Sequence, residues 1–194
     1  MKVKDAVAAY QITKKSYTYQ DYLDLPEDGN RYEIINGELI MVAAPITFHQ
    51  VVSGNIEYEL RTFVKNQKCG FVFDAPIDVK FSESNIVQPD ILYVSNKNQA
   101  ILTENNISGA PDLIIEILSQ STAYYDLVEK KQLYERFEVS EYWIVDPKKQ
   151  WIENYVLQNG KYGKYQRLEK AGKINSKILP GWELDWQTVF EFNL

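Results

Sequence analysis

A glutamate set inside a nearly continuous apolar run is the first feature of this 194-residue sequence that points to chemistry. In Asp112-Leu-Ile-Ile-Glu-Ile-Leu118 the composition is that of a strand covered on both faces. There an ionised Glu116 costs several kcal/mol unless it is compensated. It needs a partner, unless it sits near the strand end, reaches solvent or pairs with a nearby lysine. Downstream, Leu127, Leu133, Tyr134 and Phe137 define an apolar arc. At about 100° per residue, Lys130 falls near the centre of that arc and Lys131 near its edge. Lys130 can snorkel outward and pair with Asp126 at i−4, or a crossover can lay its ammonium beside Glu116. The third candidate is Asp90, which follows Pro89, a residue that cannot donate a ladder hydrogen bond. A lone Pro-Asp more often marks a turn. Asp112 also follows a proline, but it lies four residues from Glu116, roughly 13 Å along a strand, too far for both to touch one ion. Asp90 precedes Glu116 by 26 residues, enough for a strand, a loop and a return on a neighbouring strand. Two such acids and a lysine form a unit in which carboxylate oxygens bind a hard cation such as Mg²⁺ or Mn²⁺. The cation would polarise a phosphoryl group and the lysine would steady developing charge.

The elements that must position these residues follow from pattern and turn chemistry. Thr18 to Pro26 reads as a short Thr-capped helix stopped by the proline. Tyr32 to Val42 reads as a hairpin around Asn36-Gly37. Thr47 and Gln50 are spaced as a capping box and introduce a helix to about Lys68, with Val51, Val52, Ile56, Leu60, Phe63 and Val64 at helical spacing. Strands are expected at Phe71 to Phe81, Asp90 to Val94 and Asp112 to Leu118, with a polar loop from Asn96 to Gly109. A helix from about Thr122 to Phe137 then leads to a strand at Glu141 to Asp146, an order that implies a parallel crossover. Trp151 to Leu157 and Tyr162 to Leu168 flank Asn159-Gly160 as a second hairpin, and the chain ends with Trp182 to Phe190. Residues 1–17 show no periodicity and are expected to form a tail or docked arm on a single domain, 18–194.

Taken together, these stretches resemble the PD-(D/E)xK nuclease superfamily and, within it, the Uma-type family of restriction-endonuclease-like proteins. The resemblance is carried by Tyr32-Glu-Ile-Ile-Asn-Gly-Glu-Leu39, His49, Gln88-Pro-Asp-Ile91, Pro111-Asp-Leu-Ile-Ile-Glu-Ile-Leu-Ser119, Asp126 with Lys130 and Tyr134, and Glu141-Tyr-Trp-Ile-Val-Asp146. It covers about residues 18–190, and it is the order and spacing of the motifs, more than any one of them, that is specific. It implies an α/β fold: a restriction-endonuclease-like mixed central sheet flanked by helices, with added N- and C-terminal β-hairpins. It also implies metal-dependent cleavage of DNA with Asp90 and Glu116 as the metal-binding acids. The superfamily places its lysine two residues after the acid, where this chain has Leu118. The resemblance therefore moves that role to Lys130 on the next helix, with Lys131 as the fallback. An additional acid is sought among Glu33, Glu38, Glu57 and Glu59, of which Glu33 fits the hairpin motif. His49 is an auxiliary candidate, for phosphate contact or proton transfer on one reading and for a structural bond near a helix start on the other.

Composition bounds the rest. A hydrophobic fraction of 45%, a charged fraction of 25% and only 9 Gly and 7 Pro describe a folded globular chain. One Cys and one His exclude an intrachain disulfide and a Cys/His zinc site. No apolar run approaches the roughly 18–20 residues of a membrane span, and the sequence reads as cytoplasmic. The net charge of −6 argues against a general nucleic-acid coat protein but not against an enzyme that holds metal with carboxylates. The 14 tyrosines and four tryptophans can stack on bases, but in these strands they more often build core or the face of a homodimer. A catalytically inactive nuclease-fold module that binds nucleic acid or protein stands as the alternative to the enzyme.

Overall fold

The computed structural model describes residues 15–26, 28–119 and 124–192. Of the expected N-terminal arm, residues 1–14 lie outside these, while the Tyr17 N–H donates to the Gly37 carbonyl at 2.8 Å. Helix α1 (Tyr19–Leu23) starts in a full capping box, in which Thr18 accepts from the Asp21 N–H and Asp21 accepts from the Thr18 N–H. Strands β1 (Arg31–Ile35) and β2 (Glu38–Val42) form the expected hairpin. Its two turn residues, Asn36 and Gly37, have φ of 53° and 77°, the primed turn that Asn-Gly favours.

Helix α2 (Thr47–Gln67) buries Val52, Ile56, Leu60 and Val64, but the capping box expected at Thr47 and Gln50 does not form. Ile46 is the N-cap and its carbonyl accepts from the Gln50 N–H, so Thr47 already lies inside the first turn. The single strand expected over 71–81 is two: β3 (Gly70–Asp74) and β4 (Val79–Ser82) belong to different sheets. Pro76 stands between them, and without an N–H it cannot carry a ladder onward.

Strand β5 (Asn85–Val87) was not legible at three residues. Strand β6 (Ile91–Ser95) follows, and the expected loop contains β7 (Ile107–Ser108). Strand β8 (Leu113–Ile117) is buried at every residue. The start of the helix expected from Thr122 falls on residues 120–123, outside the described ones. Its described part is a π-helical segment, Tyr125–Lys130, running into α3 (Lys131–Arg136). The wider π turn breaks the 100° phase, and Leu127, expected on the apolar arc, is 40% exposed. Strands β9 (Glu141–Asp146), β10 (Trp151–Gln158), β11 (Lys161–Glu169), β12 (Lys173–Asn175) and β13 (Glu183–Asp185) precede α4 (Trp186–Phe190). Among the described residues no helix is long and apolar enough to cross a membrane.

The central sheet has the order β11-β10-β9-β8-β6-β3, with β8 and β9 parallel and the other neighbours antiparallel. The N-terminal hairpin opens a second sheet, β2-β1-β5-β4-β7. Strand alternation divides the core cleanly. Ile91, Tyr93, Leu113, Ile115, Ile117, Trp143 and Val145 pack on the side that receives α2. Leu92, Val94, Ile114, Tyr142 and Ile144 pack on the opposite side with Leu133 and Tyr134 of α3 and with Val79 and Val87 of the second sheet. Period two therefore assigns Asp90 and Glu116 to the face covered by the π turn and α3.

Candidate active site

Register brings the two acids together. Strands β6 and β8 pair antiparallel with Ile91 opposite Ile115, so one further step sets Asp90 opposite Glu116. The backbone seals this arrangement, because the Ile117 N–H donates to Asp90 Oδ2 at 2.8 Å. Asp112 is elsewhere and otherwise engaged, accepting from the Ser95 N–H at 2.8 Å, from the Ser95 hydroxyl and from the Asn98 amide.

Lys130 reaches the same place from above. Its ammonium lies 2.9 Å from Glu33 Oε1, 3.2 Å from Glu116 Oε1 and 3.5 Å from Asp126 Oδ1. The lysine is 5% exposed, and the three acids are 3%, 2% and 2% exposed. Lys131 points away and stacks its ammonium over the Tyr155 ring at 3.5 Å instead of running into open solvent. Of the four acids weighed for an additional role, only Glu33 lines the cavity, and the Gln88 N–H holds its Oε1 at 2.8 Å. Gln88 is itself fixed by its side-chain amide, which donates to Asp78 and to the Tyr22 hydroxyl.

His49, buried in the first turn of α2, donates from Nε2 to the Ile117 carbonyl at 3.0 Å and stands 3.4 Å from Asp90 Oδ2. A carbonyl only accepts, so Nε2 carries a proton, and Nδ1 is left buried without a hydrogen-bond partner. Tyr134 donates to Glu116 Oε1 at 2.5 Å. Glu33, His49, Asp90, Glu116, Asp126 and Lys130 line a cavity of about 30 Å³ bordered also by Arg31, Val42, Ala43 and Pro45. A larger cleft of about 590 Å³ runs between α2 and β3, but none of these acids lines it.

The electrostatics follow from three carboxylates sharing one ammonium, with a fourth, Asp90, beside them. Burial pushes the Glu116 carboxyl well above its ordinary range, and Asp126, Asp90 and Glu33 push it further while Lys130 opposes them. Burial alone would favour neutral Lys130, yet Glu116, Glu33 and Asp126 outweigh it and hold the ammonium's pKa well above the usual lysine value. Burial also lowers His49, but Asp90 and the Ile117 carbonyl overcome this and the imidazole titrates above its ordinary value. The cluster keeps a cation at Lys130 and retains an excess of negative charge.

A family model, Uma2, described as "Putative restriction endonuclease", matches residues 19–187. The chain belongs to the Uma2 family. A solved structure with the same fold is a crystal structure described as "a putative nuclease belonging to DUF820 from Anabaena variabilis ATCC 29413". It superposes with a TM-score of 0.74 at 21% identity, covering 89% of this chain and 97% of that one. No curated protein matches the sequence. The Uma2 membership and the mixed central sheet agree with the nuclease-like architecture expected from the sequence. In this Uma2 chain four features of the site had no role assigned from the sequence: the Gln88 N–H on Glu33, the Tyr134 hydroxyl on Glu116 and the Ile117 backbone between Asp90 and His49, all within motifs that carry the resemblance, and Arg31, which lies outside them. The alternation of Arg31 with Glu33 on β1 is the one signal that could have found Arg31.

Proposed function

We propose that this chain is a Mg²⁺- or Mn²⁺-dependent endonuclease that hydrolyses phosphodiester bonds of DNA. The observation that carries the reading is the seating of the Lys130 ammonium among Glu33, Glu116 and Asp126, beside Asp90, on one face of the sheet. Among the described residues no three His, Cys, Asp or Glu side chains already surround a common point as a metal cage. The donor chemistry nonetheless suits a hard divalent cation. Asp90 commits Oδ2 and Glu116 commits Oε1 to protein contacts, which leaves one oxygen on each, with the Ile117 carbonyl beside them. The surplus of carboxylate charge is of the sign a cation neutralises.

Asp90, Glu116 and the Ile117 carbonyl would hold the cation, which when bound supplies Lewis acidity toward a phosphoryl oxygen and toward water. The chain's own residues do the remaining work. Lys130, kept charged by three acids, offers a fixed positive charge for the negative charge that grows on the phosphoryl oxygens. Glu33 aims that ammonium and is itself aimed by the Gln88 backbone. Tyr134 locks the Glu116 carboxylate in one orientation. His49 ties the first turn of α2 to the Ile117 carbonyl and Asp90.

One observation favours the silent-module alternative: Lys130 is already engaged by three carboxylates, as in a purely structural ion cluster. The test is nicking of supercoiled plasmid with Mg²⁺ or Mn²⁺ against chelator, beside thermal shift with the same ions. Cleavage and stabilisation by the metal in the wild type, both lost in Asp90→Asn, support the enzyme. No response of either kind supports the silent module.

A further inference from the structure

We infer that Arg31 is a substrate-contact residue that grips a phosphodiester group at the mouth of this site, an inference that rests on the nucleic-acid reading above. Arg31 and Glu33 alternate on β1 and so project from the same face, and both line the cavity. Lys130, the other lysine or arginine of that lining, is buried and saturated by three carboxylates. Arg31 is only half-buried, and among the described residues its guanidinium makes no hydrogen bond, ion pair or ring contact.

This freedom is informative because of the company it keeps. Glu33, Asp90, Glu116 and Asp126 line the same cavity, and none of them pairs with Arg31. The guanidinium therefore does not neutralise the cluster, and its five donors are available to an incoming anion. An acidic pocket repels a polyanionic substrate, so a site that takes DNA needs an uncommitted cation where the phosphate arrives. Val42, opposite Arg31 in the hairpin register, and Ala43 and Pro45 border the cavity with apolar surface, which offers a bound phosphate fewer competing waters. Arginine suits this role because its planar fork matches two phosphate oxygens at once and it is more weakly hydrated than lysine.

The test uses a short fluorescein-labelled DNA duplex, with Ca²⁺ replacing Mg²⁺ to suppress turnover, and anisotropy read across a salt series. Arg31→Gln is expected to weaken binding about tenfold and to flatten the slope of log K against log salt by about one unit. Arg31→Lys should keep the slope and lose part of the affinity, since an ammonium cannot bind bidentately. Thermal stabilisation by Mg²⁺ should be the same in both variants and the wild type. A wild type that does not bind DNA, a slope unchanged in Arg31→Gln, or a Mg²⁺ response lost with the arginine would each overturn the assignment. Arg31-dependent binding by a wild type that never nicks plasmid would reject hydrolysis and uphold the contact.

Discussion

The Lys130 ammonium stands 3.2 Å from Glu116 Oε1, although the position two residues after the glutamate, where the superfamily pattern places its lysine, holds Leu118. Leu118 is partly buried against the α3 side of the core, so the strand end is used for packing and the cation arrives from the next helical segment. The positive charge beside the acid is thus carried by a backbone segment other than the acid's own strand. That arrangement also makes the charge dependent on Glu33, a residue of the other sheet.

Lys130→Met should lower turnover by orders of magnitude, because the fixed charge beside the phosphoryl group is removed. Its Mg²⁺ response should survive, since the acids remain. The variant is also expected to lose about 3–5 kcal/mol of stability, as three buried carboxylates lose their counter-charge. Lys131→Ala should retain most activity and lose about 1 kcal/mol or less, the worth of its contact with the Tyr155 ring. Plasmid nicking and urea midpoints measured side by side decide this; equal activity losses would mean that Lys130 has no special place.

Glu116→Gln should abolish the Mg²⁺ thermal shift and metal-dependent nicking, yet match or exceed the wild type's melting temperature without metal. The amide oxygen can still accept from Tyr134, and removing one charge relieves the burial that keeps the Glu116 carboxyl high and the repulsion from Asp126, Asp90 and Glu33 that adds to it. A marked fall in melting temperature would show instead that the Glu116–Lys130 pair is a net stabilising element.

How much of this could be read from the amino acids depends on the range of the interaction. The apolar run Leu113–Ile117 marked Glu116 and the Pro89-Asp90 step marked Asp90, because each signal lies along one strand, whereas the register that sets the two acids opposite each other comes only with the paired strands. Helical phase found Lys130 through Leu133 and Tyr134, but it misplaced Leu127, because a π turn carries no periodic signature distinct from a slightly irregular helix. The break between β3 and β4 was carried by Pro76, whose missing N–H weighs more than the β-rich residues around it. Glu33 with the Gln88 backbone, and Tyr134 with Glu116, join segments 55 and 18 residues apart. No local pattern specifies such pairs; only the closed fold does.

Acid stability should report on a second ion cluster, centred on Glu153, two strands across the central sheet from Glu116. Burial alone would raise the Glu153 carboxyl, but Lys164, Tyr155 and Arg167 donate to it and bring it down from 4.5 to about 2. A carboxyl depressed in the folded state adds stability that is complete above its unfolded pKa of about 4.5 and is lost as pH falls toward 2. Lys164 and Arg167 are substantially exposed and screened, so about 1 kcal/mol is expected. Urea midpoints at pH 6 and pH 3, values that bracket the ordinary carboxylate range, should fall less in Glu153→Gln than in the wild type. Parallel falls would remove Glu153 from the acid response.

The carboxylate of Glu141 fastens the 176–178 segment to the central sheet, and its removal should be costlier than that of any acid in the candidate site. It is fully buried at the start of β9, beside no lysine or arginine in hydrogen-bond reach among the described residues. Its oxygens accept from Trp143 Nε1 at 2.5 Å, from the Ser176 hydroxyl at 3.0 Å and from the Lys177 and Ile178 N–H groups at 2.8 and 3.0 Å. One side chain thus satisfies two backbone donors of the segment that leads from β12 toward β13 and fastens it to the central sheet. Glu141→Ala leaves Trp143 Nε1 and the Ser176 hydroxyl buried without this acceptor, each at about 1–3 kcal/mol, while the less buried Lys177 and Ile178 N–H groups can turn to water. The expected outcome is a melting temperature far below the wild type's. Glu141→Gln tests the geometry, because its amide nitrogen must face a donor at one of the two oxygen positions. It should fold with a melting temperature well below that of Glu116→Gln, while its metal response, measured below that temperature, equals the wild type's. If Glu141→Gln were as stable as Glu116→Gln, the donors would have found other acceptors, and the fastening of 176–178 to β9 would not depend on this carboxylate.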